Sequence, residues 1–264
     1  MNKEYLTGKK LYGDNFSLKE ITKWYNHEKE GYADLYPNVM YSYYDDHKIN
    51  MFYGFSKLPL KKFDSVMSFG GATGDELIPI IKFANKITII EPSKKFKHNE
   101  IGGKKVAYIT PSVIGKISVI DNSYDLITCF SVLHHIPNVS FVLSELNRVL
   151  KPGGYLLIKE PIVSMGDWTK SRKGLTKNER GIPLFFFNKV IKNNNFLLIH
   201  KSMFRFPTVK LLSFFKLNFS WNSYFTIYLD YFLSKLFFWN NKYHCKNNFE
   251  KLRPQSIFLV LKKE

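Results

Sequence analysis

From Phe63 onward, short apolar runs alternate with amphipathic ones, a pattern that predicts strands separated by helices. SVMSF (Ser65 to Phe69) reads as a strand that runs into a glycine-rich turn and then a helix, DELIPIIKFA. ITIIE, ending at Glu91, is a second strand, VAYIT (Val106 to Thr110) a third and YDLITCF (Tyr124 to Phe130) a fourth. The amphipathic helix FVLSELNRVL follows. It should stop at KPGG, where Pro152 cannot extend it and Gly153 and Gly154 can take positive φ. YLLIKE (Tyr155 to Glu160) is a fifth strand. Strands and helices alternating at this length imply an α/β fold with a parallel sheet, right-handed crossovers and helices on both faces.

The flanking regions obey a different pattern. Residues 1–55 are polar and aromatic, with Tyr25, Tyr32, Tyr36, Tyr41, Tyr43, Tyr44 and Tyr53, and read as an N-terminal helical cap on a core of residues 56–201. LFFFNKVIKNN (Leu184 to Asn194) predicts a helix, FLLIH (Phe196 to His200) a sixth strand, and SIFLVLKK (Ser256 to Lys263) a closing one within residues 251–264. Between those last two strands lie about 55 residues rich in aromatics. Connections that long usually serve function, so residues 202–250 are expected to form a lid or a docking surface. A membrane-spanning helix needs about 18 apolar residues in a row, and Lys216, Asp230 and Lys235 interrupt the best stretch. Two readings of residues 205–240 remain: core for the lid, or apolar faces that rest on an anionic membrane with Lys210, Lys216 and Lys235 nearby.

Charge and cysteine usage narrow the setting. With 39 Lys and Arg against 22 Asp and Glu, the net charge of +17 should attract anions: nucleic acid, lipid head groups or acidic small molecules. The basic residues are scattered and no RNA-binding module is appended, which disfavours nucleic acid as the partner. Cys129 and Cys245 have no metal or redox spacing, so reduced thiols in a cytoplasmic protein are expected, possession of a metal is not, and the N-terminus MNKEYLTGKK carries no apolar signal segment.

The chemistry concentrates in FGGATGDE (Phe69 to Glu76), a glycine-rich turn between a strand and a helix, where a ligand can approach bare backbone. Glu91, 21 residues after Gly70, ends the next strand, where a carboxylate can hydrogen-bond a ribose diol. Together VMSFGGATGDE, IIEPS, DNSYDLITCFSVLHHIPNV and ELNRVLKPGGYLLIKEP resemble, in order and spacing, the class I S-adenosylmethionine-dependent methyltransferases, especially their small-molecule branch. The resemblance covers roughly Ser65 to Glu160. It implies a Rossmann-like three-layer sandwich with a seven-stranded sheet, last strand antiparallel, and S-adenosylmethionine as cofactor. By the same resemblance Gly70, Gly71 and Gly74 would face the cofactor's amino-acid part, Glu91, with Pro92 beside it, the ribose, and Phe130 and Ser131 the sulfonium. Two positions depart from the pattern: Ser68 stands where an Asp is common, and Ala72 replaces the middle glycine. An acidic adenine contact is lacking as well, since the chain reads Thr110, Pro111, Ser112 there.

Methyl transfer requires alignment in a dry site, and a base helps when the acceptor is a hydroxyl. His134 and His135, just past the fourth strand, and Asp167 are the candidate catalytic groups; a histidine there can equally fix the loop. The segment 160–183 emerges at the same edge and offers Trp168, Arg172, Glu179 and Arg180 to a polar acceptor. The expected activity is O-methylation of a small polar or anionic acceptor such as a sugar or nucleotide-sugar of surface-glycan synthesis, at the cytoplasmic face. Two alternatives compete: a nucleic-acid methyltransferase, suggested by the charge, and an inactive Rossmann-like relative, suggested by Ser68 and Ala72.

Overall fold

The computed structural model describes residues 3–59, 62–168, 170–214, 216, 217 and 219–264, and within its long N-terminal helix not the side chains of Tyr32 and of residues 35–45. Tyr32, Tyr36, Tyr41, Tyr43 and Tyr44 of the expected cap therefore lie outside the described side chains.

Eight strands form one sheet: β1 (Phe63–Phe69), β2 (Ala84–Ile90), β3 (Glu100–Ile101), β4 (Lys104–Ile109), β5 (Tyr124–Phe130), β6 (Leu150–Pro161), β7 (Phe196–Phe204) and β8 (Ser256–Lys263). Their order across the sheet is β3-β4-β2-β1-β5-β6-β8-β7. The centre is parallel, and β8 runs antiparallel to both β6 and β7. Helices flank it: α1 (Lys3–Leu6), α2 (Leu18–Tyr53), α3 (Val139–Val149), α4 (Leu184–Asn193), α5 (Thr208–Phe214) and α6 (Tyr224–Leu236).

The central strands β1, β5 and β8 are largely apolar because both faces are covered, whereas the outer β4 and β7 are partly exposed. Successive side chains point to opposite faces, so Met67, Ile127, Cys129, Leu259 and Leu261 join one buried cluster with α3 and α4. Their neighbours Val66, Leu126, Leu157, Phe258 and Val260 join a second cluster with the end of α2 and with α6. This is the three-layer sandwich. Helix α2 begins at a capping box in which Ser17 and Glu20 satisfy each other's backbone N–H.

Three sequence expectations are corrected. The sheet has eight strands instead of seven, because Glu100–Ile101 folds back on β4 through Gly102 and Gly103, both at positive φ. DELIPIIKFA is a 3-10 helix over Asp75–Phe83, since Pro79 lacks the N–H and its ring opposes an α-helical carbonyl four residues back. Helix α3 ends at Val149, ahead of KPGG, and β6 starts at once. Of the two glycines there only Gly153 has positive φ; a Cβ on Gly154 would lie 2.8 Å from the Lys151 carbonyl, so Gly154 supplies space.

Among the described residues no helix is long and apolar enough to cross a membrane. Helix α6 and the segment after it nevertheless expose Phe225, Tyr228, Phe232, Phe238 and Trp239.

Candidate active site

Where β1, β2 and β5 end, the chain must turn, and the turns open a cleft. Gly70 adopts φ +66 and donates its N–H to the Ile90 carbonyl at 2.7 Å. A Cβ there would lie 2.4 Å from Val132 Cγ1, so both backbone conformation and space require glycine. Ala72 holds φ +48 without being glycine, and its N–H donates to Glu91 Oε2 at 3.2 Å. Glu91 Oε1 accepts from the Ser93 N–H at 2.9 Å. Glu91 thus ties the glycine-rich turn to the end of β2. Burial pushes its carboxyl up to about 7, despite those two bonds.

The cleft above this turn is partly open to solvent and spans about 840 Å³, its solvent-facing space included. Gly70, Glu91, Pro92 and Ser131 line it from the sheet side, Trp24 and Tyr25 from α2, and Pro111, Ser112 and Val113 from the loop after β4. Trp24 Nε1 donates to the His135 carbonyl at 2.6 Å, which anchors α2 over the opening.

A second cleft of about 990 Å³ continues it, sharing Gly70, Ser131 and His135. Its floor is organised by Glu160 at the end of β6. Glu160 Oε1 accepts from the N–H groups of Val132 and Leu133, each at 2.7 Å, and Oε2 meets His134 Nδ1 at 2.7 Å. His135 Nδ1 meets Glu28 Oε2 at 2.9 Å, while Glu28 Oε1 accepts from the Asn178 N–H. Both imidazoles turn Nε2 toward Glu179 Oε1, His134 at 3.5 Å and His135 at 3.3 Å. Burial alone would lower the His134 imidazole, but the facing Glu160 and Glu179 carboxylates outweigh it and raise it to about 9. Burial opposes ionisation of Glu179 too, yet the two histidines hold it below its usual value.

The structure therefore brings His134, His135 and Glu179 together, and separates them from other candidates. Trp168 stacks on Tyr12 with ring centroids 5.6 Å apart and donates Nε1 to the Ser164 carbonyl. Arg172 donates from both Nη atoms to the carbonyls of Met165, Thr176, Lys177 and Glu179, while its Nε is buried without a partner. Arg180 is fully buried and donates to the carbonyls of Tyr12, Leu133, His134, Ile136 and Pro137. Neither arginine, nor Trp168, nor Asp167 is among the residues lining either cleft. The two arginines order the loop instead of offering free donors to an acceptor.

Glu76, Asp46, Lys159 and Arg205, which also line the second cleft, were not among the sequence candidates. The hydroxyl of Ser68, buried on β1, donates to Glu76 Oε1. Glu76 lines the second cleft, and its Oε2 is buried with no hydrogen-bond partner. Burial raises this carboxyl to about 7 as well. Across the cleft Lys159 Nζ meets Asp46 Oδ2 at 2.6 Å, and Arg205 grips both oxygens of Asp46 at 2.6 and 2.8 Å. Burial penalises the Asp46 charge, but Arg205 and Lys159 outweigh it and keep the carboxyl low. Charged residues at the end of a buried strand, such as Lys159 and Glu160, were the available signal.

Comparison with known proteins gives this geometry a context. A model of the methyltransferase domain matches residues 46–198. The sterol 4-C-methyltransferase strm-1 of Caenorhabditis elegans is 28% identical over 127 residues, 44% of this chain and 36% of that protein. The ubiquinone biosynthesis O-methyltransferase of Dechloromonas aromatica (strain RCB) is 36% identical over 56 residues, 21% of this chain and 24% of that protein. The chain thus spans about a third or less of the length of these relatives. The structure of an S-adenosylmethionine-dependent methyltransferase from Mesorhizobium loti superposes with a TM-score of 0.52 at 15% identity, covering 79% of this chain and 94% of that one. At that identity the likeness concerns the fold.

Proposed function

The chain belongs to the methyltransferase-domain family, and from that premise we propose that it methylates an oxygen of a small, polar or anionic acceptor at the expense of S-adenosylmethionine. The observation that carries this reading is the continuous cleft over the ends of β1, β2 and β5, with a bare glycine turn on one side and a charged wall on the other. The residues fit the cofactor. Gly70 lines the cleft with backbone alone, Glu91 lines it with carboxylate lone pairs that can accept ribose hydroxyls, and the unpartnered Glu76 Oε2 offers a buried anion to the methionyl ammonium. Glu76, supported by the Ser68 hydroxyl, would then do the work of the Asp that the family pattern places at position 68. When bound, S-adenosylmethionine supplies an electrophilic methyl group on a sulfonium.

The chain's own residues do the rest. Trp24 and Tyr25 cover the first cleft and exclude water, Ser131 marks its junction with the second, and Phe130 lines the second. There a hydroxyl can be placed against His134, His135 and Glu179; with the His134 imidazole raised to about 9 and so protonated at neutral pH, the ionised Glu179 carboxylate is the group that can accept its proton. Lys159 and Arg205 line the same cleft and share one carboxylate, Asp46, so the net positive charge left over suits an anionic group on the acceptor. This polar lining supports a sugar or nucleotide-sugar over an apolar ring system, although relatives are named for sterol and ubiquinone chemistry. Residues 1–55 act in this reading as a cap and 202–250 as a lid. The aromatic side chains exposed along α6 support contact with an anionic bilayer, which vesicle co-sedimentation tests.

Methyl-labelled cofactor offered with nucleotide-sugars, catechols and sterols tests the assignment. Label in a nucleotide-sugar or sugar product is the expected result. Transfer only to sterol or catechol would overturn the acceptor class, and absence of cofactor binding would overturn the reading as a whole.

A further inference from the structure

We propose that His134, His135 and Glu179 bind one divalent transition-metal cation of the zinc class, with a remaining coordination position open to the acceptor side of the cleft. Cation binding stands on geometry alone; its service to the acceptor rests on the methyl-transfer reading.

Carboxylates only accept hydrogen bonds. Glu160 and Glu28 therefore fix the proton of each imidazole on Nδ1, at 2.7 and 2.9 Å. That tautomer leaves each Nε2 as the nitrogen able to ligate, and both converge on one atom, Glu179 Oε1, at 3.5 and 3.3 Å. Those separations exceed an ordinary N–H···O bond, which peaks near ~2.9 Å. They match the edge of a tetrahedron about a cation with bonds of ~2.0–2.1 Å, which is about 3.4 Å. The three ligand atoms lie within 4.8 Å of one another.

The surroundings are those of a ligating site. Metal-bound imidazoles typically donate their other N–H to a carboxylate that fixes ring and tautomer, and here both do. The ligands are held before any cation arrives. His134 and His135 share one turn, pinned through Val132 and Leu133 to Glu160. Glu179 arrives on the neighbouring loop, locked to that turn by Arg180, whose guanidinium donates to the carbonyls of Leu133, His134, Ile136 and Pro137. All three side chains are largely buried, at 8%, 14% and 9% exposure, yet line the cleft wall. Two imidazoles and one carboxylate suit zinc and its transition-metal neighbours, and fit magnesium or calcium poorly, since these prefer all-oxygen shells. An oxygen-bearing acceptor is the natural occupant of the open position.

The competing account puts protons where the cation would sit, as buried imidazolium pairs. Calorimetric titration separates the two. The full chain, stripped with chelator and exchanged into neutral buffer, is titrated with zinc chloride and, separately, magnesium chloride. We expect one zinc per chain, at least roughly 100-fold tighter than magnesium, with heats that depend on buffer because protons are released. Glu179→Gln should weaken zinc at least roughly 100-fold, and Glu28→Gln, which removes the partner of His135 Nδ1, about 10- to 100-fold, with far-UV circular dichroism confirming that each variant folds. Should Glu179→Gln not fold, the zinc absorption-edge spectrum of the wild-type chain decides: two imidazoles with an oxygen support the site, and a sulfur or all-oxygen shell overturns it. Absence of stoichiometric zinc binding, or binding untouched by Glu179→Gln, also overturns it. S-adenosylhomocysteine titrated into the same stripped sample reports on the methyl-transfer reading independently, so either idea can fail alone.

Discussion

Replacing Glu76 by Gln should make the protein more stable and worse at holding its cofactor. In the folded chain burial lifts the Glu76 carboxyl from an ordinary 4.5 to about 7. Because the folded value is the higher one, the stabilisation due to the bound proton is complete below about pH 4.5 and is lost as pH rises through about 7. At about 1.4 kcal/mol per pH unit, the gap between those values amounts to roughly 3 kcal/mol of destabilisation at pH 8. A Gln of the same shape can still accept from the Ser68 hydroxyl, as Glu76 Oε1 does, and it carries no charge to desolvate. Thermal unfolding of Glu76→Gln at pH 8 should therefore show a Tm higher by roughly 5–10 °C, an advantage that shrinks toward pH 4.5. Calorimetric titration at pH 8 should show S-adenosylhomocysteine binding weakened roughly 10- to 100-fold, the worth of one charge-assisted hydrogen bond. A variant no more stable at pH 8, or one that binds the ligand as well as wild type, would refute the assignment of Glu76 as the anion that faces the methionyl ammonium.

Further outcomes follow from the same geometry. Burial also lifts Glu91 to about 7, and only its ionised form can accept two ribose hydroxyls. In the Glu76→Gln background, where one such carboxyl remains, S-adenosylhomocysteine affinity should therefore fall about tenfold from pH 8 to pH 6, and adding Glu91→Gln should flatten that slope. Arg180→Met strips donors from five backbone carbonyls at the His134 turn and the start of the chain. Leu133, His134 and Pro137 keep backbone N–H donors, so the Tyr12 and Ile136 carbonyls lose their partner. Urea unfolding should register a loss of roughly 2 kcal/mol, about 1 kcal/mol for each acceptor left unsatisfied; an unchanged midpoint would show that the clamp is redundant.

The central strands were legible because each is an apolar run buried on both faces, and SIFLVLKK coincides with β8 to the residue. Glu100–Ile101 was not, since two residues carry no periodicity. The helix expected after the glycine turn contained its own contradiction, Pro79, which keeps that segment 3-10. Within the site, the glycine turn and Glu91 could be read because a strand, a tight turn and the next strand end are local features. Glu28, Asp46 and Arg205 could not, because their partners are remote: Lys159 meets Asp46 across 113 positions of sequence. Arg172 and Arg180 misled for the opposite reason. They sit in a segment without periodicity that reads as a solvated, substrate-facing loop, whereas folding turns their donors inward onto backbone carbonyls.

The claim on which the account depends is that the cleft lined by Gly70 and Glu91 takes an adenosyl ligand. Titration of S-adenosylhomocysteine into the wild-type chain and into Gly70→Ala, whose added methyl would lie 2.4 Å from Val132 Cγ1, tests it most directly. Saturable one-to-one binding in the wild type, weakened at least roughly 100-fold in a variant that still melts cooperatively, is the predicted result. No binding to the wild type, or equal affinity in both proteins, would contradict it.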